Sequence, residues 1–184
     1  MYKIILCGLF CAMTAVCSIF SLPLPFSPVP VSLATFAVFL AGGLLGAKYG
    51  ALSQTVYLLL GAVGVPIFHN FTGGLGILTG PTGGYLVGYI AMAFICGLFC
   101  PQILKKSSFS KGKNFILIGA ALLAANFLCY ALGTLWFMFV SGTNAAAAIV
   151  TCVLPFIPAD LFKIAAADFL LMRLFPVVNK LYLK

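Results

Sequence analysis

Negative charge is almost missing from this chain: among 184 residues there is no Glu, and Asp160 and Asp168 are the only acids. Charged residues of both signs make up 7% of the sequence, against about 25% in an ordinary soluble domain. A water-facing surface cannot be built from that inventory. With 64% hydrophobic residues and a mean hydropathy of +1.22, the composition specifies an integral membrane protein. Catalytic equipment is equally sparse. One His and two acids leave few candidates for general acid–base work. No G-x-x-x-x-G-K-[ST], H-E-x-x-H or G-x-S-x-G occurs, so no ATP site, zinc protease or serine hydrolase of those kinds is encoded. His69 has no second His, nearby Cys or carboxylate, and neither a metal site nor a cofactor is expected. Such a chain binds something rather than transforming it, and any uphill movement of a solute draws its energy from a partner or an ion gradient.

What is present is apolar sequence in blocks. The net charge of +8 lacks a basic helix with interleaved aromatics, so nucleic acid is not the expected partner. Cys7, Cys11, Cys17, Cys96, Cys100, Cys129 and Cys152 form no CxxC and read as small buried hydrophobes. The apolar runs are Ile4–Ser21, Ser32–Ala47, Gly50–Val65, Gly83–Pro101, Phe115–Val140 and a last one ending near Phe175. The first is taken as a span rather than a signal peptide because it leads into the others. Pro155 and Pro158 interrupt the last run. Ala145–Leu154 then becomes a short helix or re-entrant piece, and the final span begins at Pro158.

Six helices with both ends in the cytoplasm place Lys3, Lys48, Lys105, Lys106, Lys111, Lys113, Arg173, Lys180 and Lys184 on one side of the membrane. Five or seven helices would scatter these charges, so the positive-inside rule selects six. The expectation is an all-α integral membrane protein: one transmembrane domain, 1–184, multi-pass in the plasma membrane. Lys163 is the only basic residue left over.

Two loops on the outer side stand out. "SLPLPFSPVPVS" reads as a stiff, polyproline-like string, either a plain connector or a cap over an outward pocket. "GVPIFHNFTGGLGILTGPTGG" is long for an inter-helix loop, and its Asn70 is either a polar contact or a solvated loop residue. Gly42/Gly46/Gly50 and Gly76/Gly80/Gly84/Gly88 repeat every four residues, as close helix packing requires. In the first span Gly8, Ala12 and Ala15 make a small-residue stripe, for internal packing or for docking another membrane subunit.

The segment "LPFIPADLFKIAAADFLLMRLF" holds both acids together with Lys163. Asp160 and Lys163 are three apart and share a helix face. Asp160 follows Pro158, so the pair is either a solvated helix entrance or the polar floor of a pocket. Lys163 lies about 5–8 Å into the span by helix rise, and ionisable residues at such depth usually face a cavity or a partner. Asn126, midway along the fifth span, must also be satisfied there, by another helix or by a ligand. Asp168 lies deeper and on a different face, with no partner evident from the sequence.

At this point the chain resembles the BioY family, the biotin-specific substrate-binding (S) components of energy-coupling factor (ECF) transporters. The resemblance rests on "PVPVSLATFAVFLAGGLLGAKYGALSQTVYLLLGAVGVPIF", "GGLGILTGPTGGYLVGY", "GTLWF" and "LPFIPADLFK", in that order. It implies the ECF S-component fold of six helices, with a biotin pocket near the extracellular side. It also implies association with a transmembrane coupling subunit and two cytoplasmic ATPase subunits. Asp160 and Lys163 match the family's ligand-binding pair, and Gly8, Ala12 and Ala15 its coupling-subunit stripe. Ala34 stands where the family often has a polar residue, and Asp168 where it has a small apolar one. Biotin suits these residues: Asp160 can accept ureido N–H groups, Lys163 can meet the carboxylate or the ureido oxygen, and Tyr85 can cover the apolar ring. The rival expectations are an S component for thiamine or riboflavin, a small intramembrane enzyme, and a bundle without ligand.

Overall fold

The computed structural model describes residues 2–25, 27–105 and 111–182. Lys106 and Lys184, both counted in the charge argument, lie outside them. The chain runs α1 (Tyr2–Ile19), β1 (Ser21–Leu24), β2 (Ser27–Ser32), α2 (Ala34–Ala62), α3 (Leu75–Thr79), α4 (Gly83–Lys105), α5 (Lys111–Ser141), α6 (Ala145–Cys152) and α7 (Ile157–Tyr182). Five helical stretches among the described residues are long and apolar enough to cross a membrane.

One of the five makes two passes. Gly46 interrupts α2 with φ 81° and ψ 173°, a left-handed conformation that glycine adopts without a Cβ penalty. In a continuous helix residues 42 and 50 would stand about 12 Å apart. Here a Cβ placed on Gly50 would lie 2.8 Å from the Gly42 Cα. The chain therefore folds back at Gly46, and 34–45 and 47–62 form two antiparallel legs packed backbone to backbone. The two short runs on either side of Lys48 are these legs, and the described residues hold the six apolar helices expected from the sequence.

Cross-contacts fix the directions. Lys3 lies over the Tyr49 ring at 5.5 Å, Gln54 Nε2 donates to Thr14 Oγ1 at 3.2 Å, and the Tyr57 hydroxyl donates to Ser18 Oγ at 2.9 Å, so α1 runs parallel to the second leg. Lys163 meets Thr35, and Leu171 packs on Gly43, so α7 runs parallel to the first leg. Gly88 packs on Cys129 and Gly84 on Trp136, so α4 and α5 are antiparallel. The six legs thus alternate in direction. The start of α1, the Gly46 turn, the end of α4, the start of α5 and the end of α7 share one end of the bundle.

The opposite end carries the loops. The proline-rich segment is a β-hairpin rather than a lone polyproline string, with Ser21↔Ser32, Leu22↔Val31 and Leu24↔Ser27 opposite one another. Polyproline and β backbones are both extended, so a local reading cannot separate them; cross-strand pairing decides. Both strands are edges, where a proline's missing N–H is tolerated. The register slips between Leu22 and Leu24, either side of Pro23. Beyond α5, the short helix before the last span is α6, capped by Asn144 Oδ1 accepting from the Ala147 N–H at 2.8 Å.

Candidate functional site

The hairpin, the start of α2, α4, α5 and the α6–α7 turn converge on a small cavity near the loop end. Its walls are Val29, Pro30 and Ser32 from β2; Thr35 from α2; Tyr85 and Tyr89 from α4; Asn126, Cys129 and Tyr130 from α5; Cys152 and Phe156; and Asp160 and Lys163 from the first turns of α7. Its volume is about 40 Å³, the space of one or two waters.

Asp160 and Lys163 form its charged wall. They are 4% and 5% exposed, and Lys163 Nζ donates to Asp160 Oδ1 at 2.7 Å. Lys163 Nζ also donates to Thr35 Oγ1 at 3.2 Å. The other carboxylate oxygen, Oδ2, accepts from the Tyr130 hydroxyl and from Asn126 Nδ2, the latter at 3.4 Å. A buried ion pair persists only when further hydrogen bonds satisfy its remaining lone pairs and protons, and α5 and α2 supply them here. The pair is thus the buried floor of a pocket and not a solvated helix entrance. Asn126 Oδ1 is buried without a hydrogen-bond partner, leaving an acceptor in the wall. Behind Asn126, Tyr130 and Asp160 an apolar groove of about 260 Å³ separates α5 from α7 on the membrane side.

Tyr85 lies with its ring against Gly133 of α5, where a Cβ would come within 2.2 Å of it. Its hydroxyl is 3.0 Å from Thr134 Oγ1 and donates weakly to the Cys152 carbonyl at 3.4 Å, tying α4, α5 and α6 together beside the cavity.

The structure therefore brings four of the residues singled out in the sequence, Asp160, Lys163, Tyr85 and Asn126, to one cavity. Asn70 is not among its walls. It is exposed, holds φ 52°, and its Oδ1 accepts from Ser21 Oγ at 3.1 Å, joining the long loop to the hairpin. Its neighbour His69 is half-buried, and burial holds the imidazole pKa below its ordinary value. Ala34 is fully buried and offers no polar atom, but Thr35, one position on, supplies a contact to Lys163.

Tyr130 was not anticipated, although a signal existed: it stands four residues after Asn126 and so shares that helix face. Asp168 lies elsewhere. It is 1% exposed, its Oδ1 has no partner, and the space before Oδ2 is kept by Gly119, where a Cβ would lie 3.3 Å away.

On α1 the buried face is Cys7, Phe10, Cys11, Thr14 and Ser18. Gly8 and Ala12 are exposed, Ala15 is half-buried, and a Cβ on Gly8 would meet nothing within 4 Å. At Gly8 and Ala12 the stripe faces away from the bundle, so internal packing does not account for it.

Comparison with known proteins agrees with this architecture. The chain matches the BioY family over residues 1–180. It is 41% identical to a biotin transporter BioY of Thermotoga maritima, over 95% of this chain and 96% of that protein. It is 37% identical to a probable biotin transporter BioY of Pyrococcus horikoshii, over 94% and 95%. Among solved structures it resembles the S component for biotin from an ECF-type ABC transporter, with a TM-score of 0.83 and 27% identity, over 94% of this chain and 90% of that one. The chain belongs to the BioY family.

Proposed function

We propose that this chain is the biotin-binding S component of an ECF transporter, a multi-pass plasma-membrane protein that captures biotin for uptake and is not an enzyme. The observation that carries the reading is the polarity of the buried cavity. Asn126 Oδ1 is an acceptor without a partner, Asp160 adds carboxylate lone pairs, and Lys163 has one N–H beyond those given to Asp160 and Thr35. A ureido group has two N–H donors flanking a carbonyl acceptor and answers all three. Tyr85, Tyr89 and Phe156 offer apolar surface for a thioether ring. A cationic ligand such as thiamine would meet Lys163 unfavourably.

A cavity of about 40 Å³ must widen to admit biotin. The β-hairpin contributes Val29, Pro30 and Ser32 as a roof from outside the helix bundle, and it is the element that would lift. The whole of 1–184 acts as one membrane domain. Its basic end, with Lys3, Lys48, Lys105, Lys113, Arg173 and Lys180, faces the cytoplasm, so the pocket opens outward.

Energy comes from partners, as the resemblance to the S component of an ECF-type ABC transporter supports; the sequence has no phosphate-binding loop of its own. Gly8, Ala12 and Ala15, with exposed Ile5, Leu9 and Val16 beside them, form the surface for a transmembrane coupling subunit that joins two cytoplasmic ATPases. The test is a competition panel on the purified chain: biotin displaces labelled biotin, and thiamine and riboflavin do not. Equal displacement by thiamine would overturn the assignment.

A further inference from the structure

Asn126, Tyr130 and Asp160 have open space on both sides. One side is the small polar cavity; the other is the apolar groove between α5 and α7. That groove does not end there. It continues past Phe127, Tyr130 and Val153 into a larger one of about 450 Å³ between α5 and α6, walled by Leu135, Met138, Ala145 and Ile149. Thr134, the one further polar residue along it, shares a hydrogen bond of 3.0 Å with the Tyr85 hydroxyl. The remaining walls are apolar and open away from the bundle: Phe127 is 74% exposed, and Leu135, Ile149 and Leu161 are exposed too. From Met138 to Leu123 the groove follows α5 for about 22 Å by helix rise. One leaflet of a bilayer, headgroups included, is about 20–22 Å deep. The groove therefore runs from the loop end of the bundle to mid-membrane, with hydrocarbon beside it all the way. A helix of about that length and about 10 Å across fills on the order of 1,700 Å³, several times the space here. A single acyl chain is slim and flexible enough to lie in it.

Resting on the biotin reading and the outward orientation above, we infer that this groove holds one acyl chain of an outer-leaflet phospholipid, which seals the ligand cavity from behind. The side chains between chain and cavity carry the Asp160 network. The Tyr130 hydroxyl and Asn126 Nδ2 both donate to Asp160 Oδ2, and Asn126 Oδ1 is buried without a hydrogen-bond partner. Water in the groove would hydrate these three groups, compete with the ligand for them and raise the local dielectric, which weakens each hydrogen bond. Hydrocarbon offers no donor or acceptor and leaves the network aimed at the cavity. The lipid thus strengthens ligand binding through the wall, without touching the ligand.

The experiment uses the full chain in a steroid-tailed detergent, whose rigid rings suit a narrow groove poorly, after phospholipid has been stripped away. Biotin affinity is measured before and after palmitoyl-oleoyl-phosphatidylcholine is added, and bound phospholipid is counted by native mass spectrometry. The unaltered chain is expected to take up one phospholipid and to bind biotin about tenfold more tightly, the order of one hydrogen bond recovered from water. Ala131→Phe puts a ring into the groove from α5, and Ala145→Leu narrows its upper end from α6; neither residue lines the ligand cavity. Ala131→Phe should retain no phospholipid and bind biotin tightly without it. Ala145→Leu, at an exposed position, should retain less phospholipid than the unaltered chain. Equal biotin affinity with and without phosphatidylcholine would overturn the inference, as would a lipid response undiminished in both variants. A dimer whose formation alone restores affinity would overturn it too, giving the groove to a second copy of the chain. Binding of biotin in neither state would instead bring down the biotin reading on which the inference rests.

Discussion

Asp160 and Lys163 are the only oppositely charged pair in contact among the described residues, and breaking the pair one side at a time has unequal consequences. At 2.7 Å the gross attraction is about 6 kcal/mol for an effective dielectric of ~20. Desolvation offsets much of this, yet removing one partner alone leaves an uncompensated buried charge, typically costing about 3–5 kcal/mol. The structure orders the two single variants. Lys163→Met leaves Asp160 with the Tyr130 hydroxyl and Asn126 Nδ2 still donating to it, so its cost falls at the low end, about 3 kcal/mol. Asp160→Asn leaves the Lys163 ammonium with neutral acceptors only, the new amide oxygen and Thr35, and turns the new Nδ2 toward Asn126 Nδ2 and the Tyr130 hydroxyl, which donated to the carboxylate, so its cost falls at the high end, about 5 kcal/mol. The double variant Asp160→Asn/Lys163→Met strands no charge and should be more stable than Asp160→Asn alone. All three lose biotin affinity. Stability can be followed in detergent with a thiol-reactive fluorophore, because Cys7, Cys11, Cys96, Cys100, Cys129 and Cys152 are free and buried and react only on unfolding. Single variants as stable as the parent would mean the pair is solvated. A Lys163→Met variant less stable than Asp160→Asn would mean that α5 does not support the carboxylate.

Other outcomes follow from the same geometry. Tyr130→Phe removes a hydroxyl donated to a carboxylate and should weaken biotin binding by about 1.5–3 kcal/mol in a calorimetric titration, with the fold intact. Gly42→Leu should abolish monodisperse protein in size-exclusion chromatography, since even a Cβ there would stand 2.4 Å from the Ala93 carbonyl oxygen. Gly8→Trp and Ala12→Phe face away from the bundle and should leave biotin binding unchanged while abolishing co-purification with a coupling subunit; loss of biotin binding would place the stripe inside the functional core.

The fold was legible where apolar runs meet breakers. Gly46 and Lys48 mark the fold-back of α2, and Pro155 and Pro158 mark the start of α7. The Asp160–Lys163 pair was legible because charge is so rare here that an i,i+3 pair inside an apolar segment demands a reason. The β-hairpin was not, because its pairing joins two proline-rich pieces whose local preferences fit either extended form. Nor was the closure of the site. Thr35 and Lys163 are 128 residues apart, and Tyr130 and Asp160 are 30 apart. Such proximity follows from the alternating directions of six helices and leaves no local trace. The place of Asp168 is equally non-local: Gly119, on another helix, makes room for its carboxyl.

The central claim is that a buried, charge-lined cavity near the loop end binds biotin, and calorimetric titration of the purified chain tests it most directly. The account predicts saturable one-to-one heat at micromolar biotin or below, lost in Asp160→Asn. The absence of heat at micromolar biotin from folded protein would contradict it.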